Sequence, residues 1–124
     1  MVIPILVVST DPSQPQRLID LLRNRPYAID HCESVDAATG LLSAPRRGIV
    51  IFDIDGMDLN ERYFRELAEK PGLCMMALSS RLFHPDLKEA IGRHLIACLR
   101  KPIDPDELLF LLDSIAKNGC DRRR

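Results

Sequence analysis

The chain has no excess of basic residues, no long apolar span and no closely spaced cysteine pair. Its net charge is −1 over 124 residues, so charge alone points to neither a nucleic acid nor an anionic membrane. The four cysteines are Cys32, Cys74, Cys98 and Cys120. No two have Cys-x-x-Cys spacing, and no histidine stands at zinc-finger distance from them. Three fall in apolar runs and are expected to be small buried thiols, as suits a reducing cytoplasmic setting. The apolar start has no basic region and no small-residue cleavage site, and Pro4 and the polar stretch from Ser9 interrupt it. Neither a signal peptide nor a membrane span is expected. Repeats and low-complexity segments are missing too. What remains is enough apolar residue, 46% of the chain, for one domain with a real core.

Strand-like and helix-like segments alternate throughout. Apolar runs from Ile3 to Val8, Gly48 to Phe52, Cys74 to Leu78 and Leu95 to Leu99 read as strands, with a shorter one from Tyr27 to Cys32. Between them, Ser13-Gln14-Pro15-Gln16 reads as a capping box opening a first helix that Pro26 ends. Ser34 can cap a second helix that Pro45 stops, and Asn60 a third that Pro71-Gly72 ends. A fourth runs from Pro85 to Gly92. The last is the best signalled: Asp104-Pro105-Asp106-Glu107 supplies a cap, a proline at the first helical position and acids at the positive end of the helix dipole. Five strand–helix units predict an α/β fold, a five-stranded parallel sheet in a three-layer α/β/α sandwich of flavodoxin type. The domain is expected over residues 1–117, with 118–124 a polar tail or the start of a linker.

Four strands end in polar residues: Ser9-Thr10-Asp11, Asp53, Ser79-Ser80 and Lys101-Pro102. Parallel sheets bind ligands outside the carboxyl ends of their strands, so an acid, hydroxyls and an amine are expected to meet at one edge. These residues, in this order, resemble the receiver domain of bacterial two-component response regulators. The resemblance runs from about Ile3 to Ala116. It implies that Asp53 accepts a phosphoryl group from a sensor histidine kinase. It further implies that Ser79 hydrogen-bonds that group, that Lys101 offsets its charge and that the Lys101–Pro102 peptide is cis. Phosphoryl transfer needs mainly alignment and charge neutralisation, which these residue types can supply. The domain would be a phosphocarrier rather than a turnover enzyme, followed by a C-terminal output domain and able to form a homodimer through the predicted fourth helix, fifth strand and last helix.

The chain departs from that pattern. Receivers carry two consecutive acids after the first strand to hold Mg²⁺; here Ser9 and Thr10 stand there. Any Mg²⁺ would rest on Asp53 with Asp11 or Asp55, and neutral hydroxyls bind this ion poorly, so metal affinity is expected to be weakened. Cys98 replaces the usual aromatic of the fifth strand, and His94 is expected to be a solvated loop residue. Two alternatives follow. One is a pseudo-receiver, an interaction module that needs no phosphorylation. The other comes from Asp53-Ile54-Asp55-Gly56, which resembles the first motif of haloacid-dehalogenase-type phosphatases, with Asp53 as nucleophile and Asp55 as general acid/base.

Overall fold

The computed structural model describes residues 2–42, 48–57, 59–70, 72–81 and 92–119. In chain order these form β1 (Ile3–Val8), α1 (Ser13–Leu21), β2 (Tyr27–Cys32), α2 (Val35–Leu41), β3 (Gly48–Asp53), α3 (Glu61–Ala68), β4 (Leu73–Ser79), β5 (Ala97–Arg100) and α4 (Pro105–Asn118). The strands make one sheet in the order β2-β1-β3-β4-β5, and every neighbouring pair is parallel. This is the predicted flavodoxin-like architecture. The predicted fourth helix and the residues Pro45, Pro71 and Cys120 lie outside the described residues, apart from a helical piece at 92–94. Among the described residues no helix is long and apolar enough to cross a membrane.

Alternation along the strands produces two cores, one on each face of the sheet. Leu6, Val8, Val50, Phe52, Met75 and Ala77 face one way and pack with Ala38 and Leu42 at α2 and with Phe64 and Leu67 of α3. Ile5, Val7, Ile49, Ile51, Met76 and Leu78 face the other way and pack with Leu18 and Leu22 at α1 and with Leu108 and Leu112 of α4. Up to the polar residues that end them, the central strands are apolar on both faces because both faces are covered. That is why they read as continuous greasy runs rather than alternating ones.

Most helix starts follow their caps. Ser34 Oγ accepts from the Ala37 amide at 3.0 Å, Asn60 Oδ1 from the Tyr63 amide at 2.9 Å, and Asp104 Oδ1 from the Asp106 amide at 3.0 Å. The first helix differs from its predicted capping box. Asp11 Oδ1 accepts from both the amide and the hydroxyl of Ser13, at 2.9 and 2.8 Å, while Gln16 bonds Asp20 instead. Ser13 already lies inside the helix, with Pro12 at the N-cap, and its hydroxyl is given to the Asp11 carboxylate rather than to an amide of the first turn. Two further expectations fail. Cys98, on the edge strand β5, is exposed while Cys32 and Cys74 are buried. His94 is not a solvated loop residue; its Nε2 lies 2.9 Å from Glu61 Oε2 at the start of α3.

Candidate functional site

Asp53 ends the central strand β3, flanked by β1 and β4. Its side chain is only 3% exposed, so its oxygens must be satisfied within the protein. Lys101 Nζ donates to Asp53 Oδ1 at 2.8 Å, and the amide of Asp55 approaches the same oxygen at 3.3 Å. The Ser9 hydroxyl, from the end of β1, is 3.0 Å from Asp53 Oδ2. It also accepts from the Asp11 amide at 3.0 Å. Ser9 therefore ties the β1 loop to the β3 carboxylate.

Asp55 occupies the other side of the same ammonium, with Lys101 Nζ 2.9 Å from its Oδ2. The Ser79 hydroxyl donates to Asp55 Oδ1 at 3.0 Å, and the Ser80 amide donates to Oδ2 at 2.8 Å. Ser79 in turn accepts from the Arg81 amide through its hydroxyl, and its carbonyl accepts from the Lys101 amide at 2.8 Å. The ends of β4 and β5 are thus joined by backbone, and the Lys101–Pro102 peptide between β5 and α4 is cis. Partial burial pulls the Asp55 carboxyl upward, but the hydrogen bonds from Lys101, Ser80 and Ser79 outweigh it and hold the group well below the usual carboxylate range. For Lys101, burial works to lower the ammonium, and the two carboxylates overcome it and raise it above its ordinary value.

The structure brings together Asp53, Asp55, Ser79 and Lys101, all named from the sequence. The Asp11 carboxylate is exposed and engaged at the head of α1, where it bonds Ser13. The Ser13 amide and hydroxyl are the main causes that keep its pKa low. Two contributors are legible in the sequence only in part. Ser9 reads as one of the strand-end hydroxyls and as a missing acid, with no partner indicated, and Ser80 contributes a backbone amide that any residue would provide.

A magnesium ion prefers near-octahedral oxygen ligands with carboxylate anchors. Here the hydroxyl of Ser9 is turned toward Asp53, the carboxylate of Asp11 is committed to Ser13, and both remaining carboxylates bond one ammonium. Among the described residues no three acids, histidines or cysteines gather in a way that could hold a metal. This donor set does not fit Mg²⁺. As it stands, the pocket can neutralise anionic oxygens and keep two carboxylates close together.

No family model matches the sequence, and no curated protein matches it. Solved structures do match. The signal receiver domain of an HD domain-containing protein from Pseudomonas fluorescens superposes with a TM-score of 0.80 at 22% identity, over 96% of this chain and 98% of that one. A two-component response regulator from Clostridium difficile gives 0.79 at 16% identity, over 96% and 99%. A protein from Burkholderia thailandensis, described as a pilus assembly protein, gives 0.73 at 25% identity, over 94% and 100%. Identity this low speaks for architecture rather than shared chemistry, and on architecture the sheet order, the helices on both faces and these superpositions agree: the chain has the receiver-domain fold of response regulators, in a divergent sequence.

Proposed function

We propose that this chain is a receiver-type signalling module that acts through contact with a partner protein and does not depend on phosphorylation. One observation carries the reading. The Lys101 ammonium bridges Asp53 and Asp55 in a pocket where Ser9 and Thr10 replace the acids and Asp11 is engaged elsewhere. The one ammonium is shared by both carboxylates, and the site has lost the acids at the end of β1 that would help to draw a cation to it. The surface proposed for contact, a partner protein or a second copy, is β5 with α4. Arg100, Asp104 and Asp106 are exposed there, and Phe110 is 72% exposed.

A second reading keeps Asp53 as phosphoacceptor for a sensor histidine kinase, with an output domain downstream. The placing of Asp53 beside Lys101, whose ammonium also holds the carboxylate that Ser79 bonds, favours it. An Asp53 oxygen would bond to phosphorus as the bond to the kinase nitrogen breaks, that nitrogen keeping the electron pair, while Lys101 offsets the charge. The phosphatase reading has less support, because a general base needs an accessible carboxylate. That of Asp55 is bonded to Ser79, Ser80 and Lys101.

Intact mass after incubation with acetyl phosphate and Mg²⁺ separates the first two readings. No adduct is expected on the wild type. A single phosphoryl adduct that disappears in Asp53→Asn would overturn the contact-only reading and install the second. Repeated turnover of a phosphomonoester, abolished by Asp53→Asn, would install the phosphatase.

A further inference from the structure

Three donors from two strand ends converge on the Asp55 carboxylate. The Ser79 hydroxyl reaches Oδ1 at 3.0 Å, while the Ser80 amide and the Lys101 ammonium reach Oδ2 at 2.8 and 2.9 Å. None of these donors belongs to the loop that carries Asp55. A hydroxyl, a backbone amide and an ammonium aimed at one point make a cradle for an oxyanion. Lys101 also bonds Asp53, so the cradle opens directly beside that buried acid.

The backbone delivers Asp55 to this place. Asp53 is in register with Leu78, and the Ile54 amide donates to the Leu78 carbonyl at 3.0 Å, which extends the pairing one residue past β3. The next residue then lies opposite Ser79 and Ser80. The chain turns away at Gly56, whose φ of +76° favours glycine.

We infer that Asp55 is a built-in anionic ligand that plugs an oxyanion cradle, one that would otherwise take a small tetrahedral oxyanion of the phosphate class. The carboxylate and such an anion would claim the same three donors and repel each other, so the wild-type pocket is closed to the anion. This inference rests on reading the pocket as a receiver-type site, and it deepens that reading: the module carries its own substitute for the bound anion.

The test is a titration of inorganic phosphate into isotopically labelled full-length protein, followed through the backbone amide signals of Ser79 and Ser80. Asp55→Ala is expected to bind phosphate about tenfold or more tightly than the wild type, since a like charge is removed from the cradle. Adding Ser79→Ala to that variant should weaken binding again. Equal affinity in wild type and Asp55→Ala, or amide signals in the variant that ignore phosphate, would overturn the inference. Should Asp55→Ala not give a folded spectrum, Asp55→Asn decides: removing the charge alone must still raise phosphate affinity above the wild type, and failure to do so sinks the proposal. The acetyl phosphate experiment fails independently. An adduct on the wild type would end the contact-only reading, whereas a silent Asp55→Ala pocket would end the plug alone.

Discussion

Phe52 meets Phe64 edge to face, with ring centroids 5.2 Å apart and planes at 88°. Both residues are fully buried. This contact fastens α3 to β3 one residue before Asp53, and Tyr63 adds a second edge contact to Phe52 at 5.9 Å. Phe64→Ala removes the larger share of that anchor. It is expected to lower stability by about 3–5 kcal/mol, as for other buried phenylalanines. Urea unfolding measures it, and a loss below about 1 kcal/mol would mean that α3 is not held by this pair.

Lys101→Met should be costly for a different reason. The ammonium is the shared partner of Asp53 and Asp55, and its loss leaves two carboxylates facing each other in a largely enclosed pocket. A destabilisation of about 3 kcal/mol at neutral pH is expected, at the low end for a broken buried pair because Asp55 is partly exposed. The deficit should shrink in acid, where protonation relieves the repulsion. A pH-independent deficit would argue that only the packing of the lysine stem was lost.

The pH dependence of the native protein follows from Asp55. Its carboxyl is held below its ordinary value of 3.8, with burial opposing the hydrogen bonds from Lys101, Ser80 and Ser79. Folding therefore releases protons in this range. The stabilisation is complete above the unfolded value and is lost as pH falls through the lower folded one. Acid unfolding below about pH 4 is expected to be shallower in Asp55→Asn than in wild type. Identical acid limbs would show that other carboxylates dominate.

Gly48 offers a purely steric test. Its φ is +148°, and a Cβ there would lie 2.6 Å from the Pro4 carbonyl oxygen, a backbone atom with little room to yield. Gly48→Ala is expected to cost about 2 kcal/mol, visible as a lower thermal midpoint. Gly40 has nothing within 4 Å of a built Cβ and lies inside α2, so Gly40→Ala should be neutral or slightly stabilising.

The sheet was legible because buried parallel strands leave long apolar runs, and four of these end in polar residues that the sheet order then gathers. Asp53, Ser79 and Lys101 could be named for that reason. The connections between partners were harder to read. Whether Asp11 serves the pocket or the head of α1 depends on which amides lie within reach of its short side chain, and Ser13 is nearer in sequence than any strand end. Asp55 was placed near the site, yet its three donors come from residues 24 or more positions away, one of them main chain. No local pattern records such a meeting. The pairing of His94 with Glu61 is another, joining residues 33 positions apart.

The close approach of Gly48 to Pro4 has a consequence at the opposite pole of the molecule. The two strands run side by side from there, Ile5 beside Ile49 and Val8 beside Phe52, so the tight spot at their start acts as a zero mark for the ruler. Sliding β3 by one residue would turn Asp53 toward α2 and α3 and send a hydrophobic side chain to greet the lysine. A crowded glycine about 16 Å from the acid thus helps decide which way the acid points.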